Sequence, residues 1–266
     1  MSRTYVVTGS ASGIGATTAD ILRSRGERVI GIDLRDADVE ADLSTPEGRT
    51  SAAARAVELA GGTIDAVIAC AGISAPIAKT IAVNHFGVTG LLEALLPALR
   101  TSDAPRAAVV SSMASLQPNS PELVEAALAD DEAKALEIAE GLAAQGPAVG
   151  YAIYPSSKRA LSRWVRRTAI SDAWAGSGIP LNAVAPGTVI TPMTKDLLAT
   201  PEGAKMVDAA VPMPLNHHQS PESIAYLLIW LTSVENTHLA GQVIYDDGGA
   251  DATLRGDDIW SWNDPS

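Results

Sequence analysis

The sequence predicts an α/β fold: a doubly wound parallel sheet forming a single domain over 1–266, with a helical insertion at 117–149. Three observations predict it. Short β-branched runs alternate with longer helical patterns, which implies parallel strands joined by right-handed crossovers. Hydrophobic residues make up 47% of the 266, yet only one is Phe. The core must therefore be built from Ala, Val, Leu and Ile, as where helices cover both faces of a buried parallel sheet. Finally, a glycine-rich turn joins the first strand to the first helix, and such sheets bind ligands beyond the carboxyl ends of their strands.

The elements follow in order. Tyr5-Val6-Val7 is strand-like and Ile14 to Arg25 helical. Val29 to Ile32 is a second strand, ending at Asp33. Thr45 offers an N-cap, Pro46 a first helical residue and Glu47 an early acid for a helix reaching Leu59. Ile64 to Ala69 is a strand, Ile81 to Arg100 a long helix and Ala107 to Ser111 a strand. Leu181 to Ala185 and Val243-Ile244 are two more strands. The insertion breaks this rhythm. Pro121 to Ala129 and Asp131 to Ala144 read as two helices, the second with an apolar side of Leu136, Ile138, Ala139, Leu142 and Ala143. The expectation is a lid over a substrate mouth or a subunit contact.

Composition narrows the function classes. The formal net charge is -12, and no basic stretch is long enough to hold a nucleic-acid backbone. Arg159, Arg163, Arg166 and Arg167 recur at helical spacing and are expected on an exposed or interface face. Cys70 is the only cysteine, which rules out an internal disulfide and a Cys-rich metal site. The chain opens on a strand and holds no run of 18 apolar residues. A cytoplasmic protein with no membrane partner is expected.

The glycine turn is Thr8-Gly9-Ser10-Ala11-Ser12-Gly13-Ile14-Gly15. Glycines let the backbone approach a pyrophosphate closely, and the helix N-terminus presents free N–H groups to it. Asp33 closes the second strand about twenty residues on. A carboxylate there accepts hydrogen bonds from ribose hydroxyls and repels a 2′-phosphate, which argues for NAD as cofactor over NADP; Arg35 could soften that preference. Leu34 and the Asp42-Leu43 pair flank the adenosine end, and Ala71-Gly72 lets the backbone pass close to the cofactor. Cys70 reads as a small core residue.

Tyr154 and Lys158 stand four residues apart, one helical turn, and so face the same way. A lysine beside a tyrosine favours the phenolate and is expected to lower a pKa that starts near 10, giving an acid/base that works near neutral pH.

In sum, the chain resembles a short-chain dehydrogenase/reductase along nearly its whole length. The carrying residues are the Gly9, Gly13 and Gly15 turn, Ala71-Gly72, Asn84 in Val83-Asn84-His85-Phe86-Gly87, Ser111-Ser112, Tyr154 with Lys158, and Pro186-Gly187 followed by Thr191. The resemblance implies a Rossmann-type sheet, Tyr154 as acid/base, and Lys158 as the group that tunes it and holds the nicotinamide ribose. It places Ser112 on the substrate oxygen, with Ser111 and Tyr151 as neighbours easily mistaken for the working residues. It gives Asn84 a part in a proton relay, and lets Pro186, Gly187, Val189 and Thr191 fix the carboxamide. Two departures stand out. Cys70 replaces the usual asparagine before Ala71-Gly72, and the insertion separates Ser112 from Tyr154.

Gly31 to Ala37, Ala41 to Thr45 and Ala108 to Ser112 are similar to bacterial 3α-hydroxysteroid dehydrogenase/carbonyl reductases, which also carry an insertion here. A related group acts on coniferyl-type aromatic allylic alcohols. The implied enzyme transfers hydride between NAD(H) and a hydrophobic alcohol or ketone, as a homodimer or homotetramer. The alternative of another class is an NAD-binding regulator without catalysis, and the intact Ser112, Asn84, Tyr154 and Lys158 set argues against it. No metal site is expected: His217-His218 read as loop residues and Asp246 to Gly249 as a strand end and turn. Trp260 and Trp262 are expected to pack against the body or a partner subunit.

Overall fold

The computed structural model of the chain describes residues 2–263. Seven strands, β1 (Thr4–Thr8), β2 (Arg28–Asp33), β3 (Val39–Glu40), β4 (Ala66–Ala69), β5 (Arg106–Val110), β6 (Leu181–Pro186) and β7 (Val243–Asp246), form one sheet in the order β3-β2-β1-β4-β5-β6-β7. All pairings are parallel. The order turns back between β1 and β4, the switch point at which such sheets open a crevice. Thr8 is in register with Ile32 on one side and Ala69 on the other, so the glycine turn emerges level with Asp33 and Cys70.

Side-chain alternation fills both faces. Val6, Val67, Ala107, Val109 and Ala183 belong to one core, and Tyr5, Val7, Ala66, Ile68, Ala108 and Val184 to the other. The many alanines bring the covering helices close to the sheet, and Phe86, the one phenylalanine, is fully buried.

The expected helices are present within a residue or two: Gly13–Ser24, Pro46–Ala60, Pro121–Leu128 and Glu132–Ala144. Thr45 caps the second by accepting from the Gly48 amide, and Gly61 closes it at φ 77°, a left-handed position that suits glycine. The fourth strand starts later than expected because the Ile64 amide donates to the Ala98 carbonyl.

The long helix runs Lys79–Leu99 and is long and apolar enough to cross a membrane by length and composition, but 67% of its most apolar stretch is buried in the protein. Its middle departs from expectation: Ala82–Phe86 is a π-helical turn. Such bulges concentrate at functional sites.

The insertion packs on the outer face of the helix Ile153–Thr168. Leu123, Val124, Ala127 and Leu128 are buried there with Leu161 and Trp164, each large apolar side chain contributing about 1.5–3 kcal/mol. The basic run does the docking: Arg163 pairs with Glu125, and Arg167 donates to the Leu128 carbonyl at 2.7 Å.

Trp260 and Trp262 are 68% and 83% exposed and do not pack on the body, which leaves a partner subunit as the remaining expectation. The chain turns away at Gly256 (φ 81°), and the Asp258 carboxylate organises the following turn locally by accepting from the Trp260 and Ser261 amides.

Candidate active site

The carboxyl ends of β1, β2, β4, β5 and β6 surround a cavity of about 360 Å³. Every residue singled out for cofactor or catalysis lines it, except Asn84.

At the first end the backbone itself is the binding surface. A Cβ on Gly9 (φ 67°) would meet the Ala71 amide at 2.9 Å, and one on Gly15 would meet the Gly9 carbonyl at 2.2 Å. Ser12 is extended at the helix N-cap and makes no side-chain cap, so the first amides of the helix remain for a ligand. Asp33 accepts from the Ala11 amide at 3.0 Å and the Leu34 amide at 2.7 Å, which ties the glycine turn to the end of β2. Leu43 is buried, while Leu34 lines the cavity with 60% of its surface open. The Asp42 carboxylate accepts from Lys79 at 2.8 Å and from Ser44. Those bonds, Lys79 first, hold its pKa at about 2. Lys79 closes this end, and no motif in the sequence pointed to it.

Cys70 lines the cavity wall, and burial pushes its thiol up to about 12 despite the Lys158 charge. It is no nucleophile at neutral pH. Although asparagine is lost here, the neighbouring Ala71 amide is satisfied by Thr8 Oγ1 at 3.0 Å.

The second end brings Ser112, Tyr154 and Lys158 together despite the insertion between them. Ser112 caps the turn Met113–Leu116 by accepting from the Ala114 amide at 3.1 Å. Ser111 is turned away, with its hydroxyl 2.7 Å from Ser162 Oγ and 3.2 Å from the Lys158 carbonyl. Lys158 is buried and its Nζ donates to the Val110 carbonyl at 2.9 Å. Burial lowers its pKa to about 8, with Cys70 pulling weakly the other way.

The phenol differs from expectation. Burial raises the Tyr154 pKa above the ordinary tyrosine value, a hydrogen bond with Ser112 opposes this, and Tyr151 adds to it. Lys158 Nζ stands 6.0 Å from the ring centroid, and for both groups desolvation is the largest cause of the shift.

Asn84 sits in the π-helical turn, fully buried. Its Oδ1 accepts from the Ile73 amide at 2.9 Å, and its Nδ2 donates to the Ile73 carbonyl at 2.9 Å and to Ser157 Oγ at 3.0 Å. Both amide protons are used, so the side chain fixes the loop beyond Gly72 to the tyrosine helix. Pro186 to Thr191 is fixed by Gln219, a residue the sequence reading missed. Its amide donates to the Thr188 carbonyl and its carbonyl accepts from the Ile190 amide, each at 2.9 Å. Thr191 then caps the helix Pro192–Leu198.

The histidine pair lies apart from these groups: His218 bonds Asp208 at 2.8 Å and His217 the Leu215 carbonyl at 2.9 Å. Among the described residues no cluster of three or more His, Cys, Asp or Glu is placed to hold a metal ion. Asp246 ends β7, and Gly248 and Gly249 form the following turn with positive φ.

A glycine cradle at a helix N-terminus, a carboxylate at the end of β2 and a Ser–Tyr–Lys set around one crevice define a nucleotide-dependent oxidoreductase. The chain belongs to the short-chain dehydrogenase/reductase family. The family profile described as enoyl-(acyl carrier protein) reductase matches residues 9–251. The 3-alpha-hydroxysteroid dehydrogenase/carbonyl reductase of Comamonas testosteroni is 38% identical over 255 residues, 94% of this chain and 97% of that protein. The coniferyl-alcohol dehydrogenase of a Pseudomonas species is 29% identical over 262 residues, 95% of this chain and 98% of its own length. A crystal structure of the 3-alpha-hydroxysteroid dehydrogenase from Pseudomonas sp. B-0831, complexed with NADH, superimposes with a TM-score of 0.88 at 39% identity, covering 96% of this chain and all of that one.

Proposed function

We propose that this enzyme transfers hydride between NAD(H) and a hydrophobic secondary alcohol or ketone of the 3α-hydroxysteroid type. The observation that carries this is the convergence of Ser112, Tyr154 and Lys158 on the cavity that also holds the glycine cradle and Asp33. The residues fit the dinucleotide: Gly9 and Gly15 pack so closely on neighbouring backbone that neither admits a Cβ, which folds the turn tightly onto a helix whose first amides carry no side-chain cap, and Asp33 suits ribose hydroxyls. The greater identity with the hydroxysteroid enzyme favours that substrate class over aromatic allylic alcohols.

The bound nicotinamide supplies the hydride acceptor or donor. Ser112 and Tyr154 hold the substrate oxygen by hydrogen bonds. In oxidation Tyr154, as phenolate, takes the hydroxyl proton while hydride leaves the carbinol carbon; in reduction the phenol returns it. Lys158 supplies a positive charge that steadies the phenolate, and it would hold the nicotinamide ribose of the bound cofactor. Asn84 positions rather than reacts. A cytoplasmic homodimer or homotetramer is the proposed working form. The outer face of Ile153–Thr168 is already covered by the insertion, so subunit contacts fall elsewhere.

The test is NADH absorbance with NAD and a panel of steroid, aryl allylic and terpenoid alcohols. Turnover of 3α-hydroxysteroids is expected. NADH binding with no turnover of any member favours the non-catalytic reading.

A further inference from the structure

We infer that the insertion is not a lid but a clamp that positions the catalytic tyrosine helix, with Arg49, Glu132 and His85 as positioning residues. No residue of 117–149 lines the cavity, so the insertion does not roof it. It bonds the tyrosine helix directly where the Ser120 amide donates to Ser156 Oγ at 2.9 Å, and it reaches the π-helical turn Ala82–Phe86 at two further points. In the first, Arg49 Nη2 donates to both Glu132 oxygens, at 2.6 and 2.8 Å, while Nη1 donates to the Phe86 carbonyl at 3.1 Å and Nε to the Thr45 carbonyl at 3.0 Å. The Arg49 side chain is 8% exposed, so its charge depends on that one carboxylate. In the second, His85 Nε2 donates to the Ala127 carbonyl at 3.1 Å, and Nδ1 is buried with no partner.

The held turn carries Asn84 immediately before these two contacts. Asn84 donates to Ser157 Oγ at 3.0 Å, and Ser157 donates to the Tyr154 carbonyl at 2.7 Å. The same asparagine holds Ile73 on both backbone groups, next to Gly72. A Cβ on Gly72 would lie 3.6 Å from Lys158 Nζ. A continuous set of bonds therefore runs from Glu132 through Arg49 and the π-helical turn to the backbone of Tyr154. A bulged turn lacks the regular i→i−4 ladder and takes its geometry from such outside partners.

This rests on the proposed acid/base role of Tyr154, and the experiment separates the two. Glu132→Ala, Glu132→Gln and Arg49→Lys are compared with Glu125→Ala, which removes an exposed ion pair of the same insertion. Turnover of a 3α-hydroxysteroid, NADH affinity by fluorescence, and amide exchange at 82–86 and 154–158 are measured. Glu132→Ala is expected to lower kcat about 10- to 100-fold, as small misplacements at reacting groups do. NADH affinity stays within about threefold, and both segments exchange faster. Glu132→Gln keeps one acceptor and loses less. Arg49→Lys cannot bond in a fork and follows Glu132→Ala; Glu125→Ala stays at wild type. Wild-type kcat in Glu132→Ala overturns the inference, as does a loss shared equally by NADH affinity and by Glu125→Ala. Should the wild type oxidise no alcohol, the functional reading fails, and exchange still decides: faster exchange at 154–158 in Glu132→Ala supports the clamp, and unchanged exchange overturns it.

Discussion

Lys158 Nζ donates to the Val110 carbonyl at 2.9 Å and lies 6.0 Å from the centroid of the Tyr154 ring. The lysine is thereby anchored to the end of β5, beside Ser112, rather than left free on its helix. Burial weakens both charged forms: it lowers the ammonium to about 8 and raises the phenol above its ordinary value.

One consequence is a pH effect of known sign. Oxidation needs the phenolate, so kcat rises with pH, and the lysine charge that favours phenolate is present below about 8. Lys158→Ala leaves burial unopposed by that charge. The rising limb of the kcat–pH profile should move to higher pH, with turnover at neutral pH about 10²- to 10³-fold lower. An unmoved limb would show that the ammonium does not act on the phenol.

Asp33 is the residue proposed to set cofactor choice. Its carboxylate bonds the Ala11 and Leu34 amides and faces the cavity where a ribose would lie. Asp33→Ser should raise KM for NAD about 10- to 100-fold, the worth of charge-assisted hydrogen bonds, and leave KM for NADP unchanged or lower. Steady-state kinetics with both cofactors measures this; a wild-type preference for NADP would contradict it.

His85 gives the fold an acid limit. Burial, its largest cause, lowers the imidazole to about 4 from 6.5; the Ala127 bond opposes this and Arg167 adds to it. Between those values the unfolded chain binds more protons, so stability falls as pH drops from 6.5 to 4. The loss is on the order of 3 kcal/mol. Denaturant titrations should show this slope in wild type and a flatter one in His85→Gln. Equal slopes would remove the histidine from the account.

The sheet and the cradle were legible because their signals are local. Gly9, Gly13 and Gly15 sit between a strand and a helix, and Tyr154 with Lys158 spans one turn. Part of what went unread was also local. Thr191-Pro192, Thr200-Pro201 and Ser220-Pro221 each begin a helix, just as Thr45-Pro46 does, and the same N-cap and proline signal would have found all three. The remainder is tertiary. Lys79 meets Asp42, Arg49 meets Glu132 and Gln219 meets Thr188 across long stretches of chain, and no periodicity encodes such partners. The phenol's raised pKa was missed for a related reason: spacing shows that a lysine is near but says nothing of how much water both groups lose.

The most direct test of the central claim is Tyr154→Phe, which removes one oxygen and preserves the ring. Equilibrium NADH fluorescence and steady-state oxidation of a 3α-hydroxysteroid are measured on the same preparation. NADH affinity within about threefold of wild type and turnover reduced at least about 10³-fold are predicted, since positioned acid–base groups contribute about 10²–10⁴. Turnover equal to wild type, with NADH still bound, would contradict the account.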